Sequence, residues 1–73
     1  MSKKFHFIAI GGVGMSGLAK FLILQGYTVS GSDVNDSKYV KQLKEMGATV
    51  YIGHSKDNVP KDATVIVSSA IRE

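Results

Sequence analysis

No cysteine occurs in the 73 residues, which excludes a disulfide framework and thiolate chemistry and makes the cytoplasm the expected compartment. Long apolar runs are missing too. Nothing approaches the roughly 20 uninterrupted apolar residues of a membrane span, and the stretch 5–10 is too short for a signal-peptide core before it meets glycine. Clustered positive charge is also absent. The nine Lys and Arg give a net charge of +3, but they are scattered as on a solvated surface, without the gathered basic element and stacking aromatics that nucleic-acid binding requires. Neither a nucleic acid nor a membrane is therefore expected as a partner. Two separated histidines, His6 and His54, make no metal site, and no G-x-x-x-x-G-K-[ST] stretch supplies an ATP-binding loop.

What is present reads as one small α/β domain over residues 1–73. With 44% apolar and 21% charged residues, the composition is globular, although a chain of this length buries only a modest core. Phe5, Phe7, Ile8 and Ile10 form a nearly continuous apolar run, as in a strand covered on both faces of a parallel sheet. Residues 15–25 read as a helix with Met15, Leu18 and Leu22 toward the sheet, ended by Gly26; Phe21, Ile23 and Leu24 leave it apolar nearly all round. A second strand is expected over 27–30, closed by Gly31-Ser32-Asp33. An amphipathic helix follows over 37–46, with Val40, Leu43 and Met46 inward and Gly47 at its end. Strands at 49–52 and 64–68 flank a loop or short helix that holds the single proline, Pro60. The order βαβαββ, with right-handed crossovers, predicts a Rossmann-like parallel sheet in the strand order 3-2-1-4.

In that order the sheet changes direction between its first and fourth strands, and such folds bind ligands there, at the carboxyl ends of the strands. Residues 11–17 and 68–71 meet at this edge. The chain stops directly after the second stretch, with no helix over its fourth strand, and reads as a fragment of a longer protein.

The first stretch contains a literal G-x-G-x-x-G, Gly12-Val13-Gly14-Met15-Ser16-Gly17, between a strand and a helix. Its glycines are expected to make a tight turn, let backbone approach a phosphate, and bring the helix close to the strand. The free amides and dipole of the helix start favour a diphosphate, to which Ser16 could add a hydroxyl donor. Asp33 follows Gly12 by 21 residues; it either accepts from a ribose diol or caps a turn or the second helix. His54 either reaches a base or ribose or is an exposed loop histidine. Ser68 and Ser69 either donate to phosphate or sugar or satisfy the end of the fourth strand. His6 reads as structural. Ser16 is no nucleophile, because Gly14-Met15-Ser16-Gly17-Leu18 departs from G-x-S-x-G and no acid–base partner is placed near it. NAD and a UDP-sugar both carry a ribose and a pyrophosphate, so spacing alone leaves the front half of an NAD-dependent oxidoreductase open beside a UDP-sugar-binding domain.

"HFIAIGGVGMSGLA", "GYTVSGSD", "LKEMGATVYIGH" and "VIVSSAI", in that order across nearly the whole chain, resemble the N-terminal domain of the Mur ligases of bacterial cell-wall synthesis. Within the family, "GGVGMSG" and "SSAI" favour the members that add L-alanine over a peptide-recycling relative. Ala9 departs from the pattern, which often has glycine there. The resemblance implies a three-domain enzyme. Its N-terminal domain would hold the UDP part of UDP-N-acetylmuramate, its central domain ATP and magnesium, and its C-terminal domain would help bind the amino acid. The muramate carboxylate would be phosphorylated and attacked by the amine of L-alanine. By resemblance, the diphosphate loop falls on Gly11, Gly12, Val13, Gly14, Met15 and Ser16, the ribose or uridine contact on Asp33, and further contacts on His54 and Ser69. The catalytic groups and the ATP site would lie beyond residue 73, so this chain is expected to need no cofactor of its own and to bind rather than catalyse.

Overall fold

The structure, a computed structural model, describes residues 3–67. Its elements run β1 (Lys4–Ile8), α1 (Val13–Leu24), β2 (Thr28–Asp33), α2 (Lys38–Glu45), β3 (Thr49–Ile52), a single 3-10 turn (Lys56–Asn58) and β4 (Thr64–Val67). The four strands form one sheet in the order β3-β2-β1-β4, and each neighbouring pair is parallel. This is the strand order expected from the alternation of elements. Among the described residues no helix is long and apolar enough to cross a membrane.

The helices cover one face of the sheet. Phe7 and Val29 from the strands, Ile10 from the loop after β1, Met15, Ala19 and Leu22 from α1, and Val40 and Leu43 from α2 form a single buried cluster with Ala48. Burial of this apolar area is the main favourable term, at roughly 25 cal/mol per Å². Alternation along the strands sends His6, Ser30 and Ser32 to the opposite face. There His6 is fully buried, with Nδ1 at 2.8 Å from Ser30 Oγ, its register partner on β2. Its other ring nitrogen, Nε2, is buried with no hydrogen-bond partner among the described residues.

Several boundaries differ from the sequence reading, each for a local reason. β1 ends at Ile8 rather than at Ile10, because Ala9 turns into the left-handed region with φ 65°. Ile10 nonetheless stays fully buried and donates its amide to Ser32 O at 2.9 Å. β2 continues through Gly31-Ser32-Asp33 instead of closing there, since β1 pairs with Ser32 and β3 with Asp33. Gly31 is needed in that strand: a Cβ on it would lie 2.7 Å from Ile10 Cδ1 and 2.8 Å from Phe7 O. On α1 the buried residues are Met15, Ser16, Ala19 and Leu22. Leu18, expected inward, lies on the flank and is 42% exposed, while Phe21 and Leu24 are exposed on the far side. Met46, at the end of α2, is only half-buried. Both helices end as their glycines suggested, with Gly26 at φ 93° and Gly47 at φ 110°.

Two outcomes follow for stability. A Cβ in the left-handed region costs about 1–2 kcal/mol, and glycine's extra unfolded-state entropy returns about 0.5–1 kcal/mol of that. Ala9→Gly is therefore expected to stabilise the chain by roughly 0.5–1 kcal/mol, read as a higher urea midpoint at unchanged m value; a lower midpoint would show that Ala9 carries no strain. Burial also pushes the His6 imidazole below the usual histidine range. Its stabilising contribution is complete above the unfolded value of about 6.5 and is lost as pH falls through the lower folded value, because the unfolded chain takes the proton first. Urea unfolding between about pH 7 and pH 5 should lose stability in the native sequence and lose less in His6→Gln.

Candidate functional site

The glycine loop leaves the carboxyl end of β1, runs over the tip of β2 and enters α1. Its start is pinned twice to β2, by the Ile10 amide on Ser32 O at 2.9 Å and by the Gly11 amide on Asp33 Oδ2 at 2.8 Å. A further turn is closed by Gly12 N–H donating to Ala9 O at 3.2 Å. Gly11 sits in a socket: a Cβ there would lie 2.9 Å from Asp33 Oδ2, 3.0 Å from Val40 Cγ2 and 3.2 Å from Ser37 Oγ. Ser37 is also the N-cap of α2, accepting from Val40 N–H, so β2, α2 and the loop converge on one backbone atom group.

Beyond this anchor the loop offers donors. Gly12 is the N-cap of α1 and makes no side-chain cap, and the first turn holds no acidic residue. The amides of Val13, Gly14 and Met15 precede any carbonyl the helix can supply; the first such bond is Ser16 N–H to Gly12 O, at 2.7 Å. Three adjacent N–H groups, with a dipole end worth about half a positive charge, suit a phosphate group. Among the described residues a Cβ on Gly14 would meet nothing within 4 Å, and Val13 is 75% exposed.

The structure redistributes the duties assigned to individual residues. The close-packing glycine of the loop is Gly11, not Gly17, whose Cβ position is empty to 4 Å among the described residues; α1 buries Met15, Ser16, Ala19 and Leu22. The sharp turn falls on Ala9. Met15 is buried, and so is Ser16, whose hydroxyl donates to Val13 O at 3.0 Å; its one proton is engaged inside the helix. Asp33 lies at the end of β2 beside the loop, accepting from Gly11 through Oδ2 and from Asn35 N–H through Oδ1 at 3.1 Å. It closes a turn without capping α2, a role that Ser37 fills.

His54 follows β3 and is exposed. Its Nδ1 lies 2.6 Å from the hydroxyl of Ser32, which is itself buried. Since neighbouring residues of a strand point to opposite faces, His54 is held on the face away from the helices while Asp33 stands on the helix side. Both remain at the carboxyl edge. Ser69, with the whole stretch 68–71, lies outside the described residues. Ser32 and Ser37 were not singled out by sequence; the alternation through Gly31-Ser32-Asp33 was the available signal for the first, and the serine directly before the helical period for the second.

A family model described as Mur ligase family, catalytic domain, matches residues 4–73. The chain is 59% identical over 69 residues to the UDP-N-acetylmuramate–L-alanine ligase of Hydrogenobaculum sp. (strain Y04AAS1), covering 94% of this chain and 15% of that protein. It is 53% identical over 70 residues to the protein of the same name from Aquifex aeolicus (strain VF5), covering 96% and 15%. Among solved structures it is similar to the UDP-N-acetylmuramate-alanine ligase of Thermotoga maritima, with TM-score 0.86 and 35% identity over 94% of this chain and 16% of that one. A murein peptide ligase of Psychrobacter arcticus 273-4 gives TM-score 0.84 and 31% identity over 90% and 14%. The chain thus spans about 15% of the length of these curated relatives.

The two ends of the glycine motif should respond oppositely to an added methyl. Gly17→Ala fills open space in a helix interior and should stabilise the chain by about 0.5–1 kcal/mol. Gly11→Ala must displace the Asp33 carboxylate and should destabilise by about 1–3 kcal/mol. Urea unfolding of both variants checks this, and equal or reversed signs would contradict the socket around Gly11.

Proposed function

The chain belongs to the Mur ligase family, and on that premise we propose that residues 1–73 form the UDP-substrate-binding front of an ATP-dependent ligase joining L-alanine to UDP-N-acetylmuramate in peptidoglycan synthesis. One observation carries the binding role: the amides of Val13, Gly14 and Met15 at the start of α1, which have no acceptor among the described residues, in a segment that the family model covers. In this reading the diphosphate of the UDP-sugar takes those amides, and the uridine lies along the carboxyl edge toward Asp33 and His54. Ser69 is a further proposed contact at that edge.

The chemistry belongs to the rest of the parent enzyme, where ATP with magnesium activates the muramate carboxylate for attack by the amine of L-alanine. This chain contributes binding and orientation, and alone it is proposed to be inactive. Its own 73 residues hold no phosphate-binding G-x-x-x-x-G-K-[ST] loop for ATP. The cytoplasm, where UDP-sugars and ATP are available, is the proposed compartment. The relatives described above are named as ligases, and none of them supports the oxidoreductase alternative.

A titration of the isotope-labelled chain, followed by amide NMR, tests the reading. UDP-N-acetylmuramate should shift the amides of Val13, Gly14 and Met15, and NAD should leave them in place. Shifts with NAD alone would overturn the reading in favour of a dinucleotide site.

A further inference from the structure

We propose that Asp33 is a positioning residue for the glycine loop, acting on the diphosphate through the Gly11 backbone rather than reading the ribose; this rests on the diphosphate reading of the loop given above. The residue stands where this type of fold commonly presents a carboxylate to a ribose diol. In this chain both of its oxygens already have backbone partners, Gly11 N–H at 2.8 Å and Asn35 N–H at 3.1 Å. The pair of bonds fixes the rotation of the carboxylate. It also joins residues 22 positions apart in sequence, which makes it a tertiary contact and not a local turn alone.

The socket around Gly11 gives the same answer from packing. Asp33 Oδ2 is the nearest atom to a Cβ that Gly11 lacks, at 2.9 Å, ahead of Val40 Cγ2 and Ser37 Oγ. The loop therefore lies against the carboxylate, with its backbone held at a distance that only glycine permits. Ile10 N–H on Ser32 O is the other fastening to β2, and the donors follow directly after at Val13, Gly14 and Met15. A charged acceptor on Gly11 N–H is a stronger fastening than a neutral one. It removes conformations of the loop in which the three donors diverge, so the ligand does not have to order them on binding.

A ribose contact and a positioning contact separate on a ligand without ribose. Inorganic pyrophosphate and UDP are titrated into the native 73-residue chain, Asp33→Asn and Asp33→Ala, with the spectrum of each variant used to confirm folding. If Asp33 positions the loop, both probes lose affinity by the same factor, roughly tenfold in Asp33→Ala and less in Asp33→Asn, whose amide oxygen can still accept from Gly11. The free protein supplies a second readout that needs no ligand: the Gly11 amide proton should resonate downfield in the native chain and move upfield in Asp33→Ala. A loss of UDP affinity with pyrophosphate unchanged would overturn the proposal and make Asp33 a ribose reader. Tighter pyrophosphate binding in Asp33→Asn would also overturn it, by showing that the carboxylate chiefly repels the anion, as would a Gly11 amide that does not move. If the native chain binds neither probe, the diphosphate reading falls and this proposal falls with it, whereas a ribose-specific loss sinks this proposal alone.

Discussion

The fastening of Gly11 to Asp33 is the contact on which the arrangement of the site depends. A parallel sheet delivers the ends of β1 and β2 to the same edge, one strand spacing apart, but it does not fix the path of the loop between β1 and α1. That path is fixed by an amide on a carboxylate at 2.8 Å and by the absence of a side chain on Gly11, which lets the loop meet Val40 and Ser37 of the second βα unit. The path into α1 is then set, and the amides of Val13, Gly14 and Met15 that follow have no backbone acceptor among the described residues. A loop held by one bond fewer would present the same groups with less order.

The two faces of the sheet are built on different terms. On the helix side an apolar cluster from Phe7 to Ala48 supplies the stability. On the other side β1 and β2 carry a polar row in which His6 pairs with Ser30 and Ser32 with His54. Buried polar groups stabilise only when they are partnered, and His6 Nε2, without a partner among the described residues, makes this face sensitive to protonation. The polar row ends at the carboxyl edge, so His54 is tied through Ser32 to the same strand that holds the loop through Asp33.

The outline of the fold was legible because it rests on repeating signals. Alternating apolar runs and helical periods give βαβαββ, right-handed crossovers give the order 3-2-1-4, and Gly26 and Gly47 mark where the helices stop. The Thr49–Ile52 strand falls where its β-branched and aromatic residues place it. What was not legible depends on contacts between segments distant in sequence. Gly31 reads as a turn residue in a window of ten, yet it lies within a strand because Ile10 needs its space. Ser16 reads as a donor for phosphate until the helix start is known to lie at Val13, which puts the Val13 carbonyl in reach of its hydroxyl. The glycine spacing marks the segment between β1 and α1, but the packing within it is distributed differently. The turn falls on Ala9, the close approach on Gly11, and Gly17 has no neighbour among the described residues that requires it. Spacing draws attention to Asp33, while its bond to Gly11 is visible only in the folded chain.

A crystal structure of the parent ligase with UDP-N-acetylmuramate is the most direct test of this arrangement. The expected result places diphosphate oxygens within hydrogen-bond distance, about 2.7–3.2 Å, of the amides of Val13, Gly14 and Met15, with Gly11 N–H still on the Asp33 carboxylate. A diphosphate held away from these amides, or a loop in which Gly11 has left Asp33 to bind the ligand itself, would contradict it.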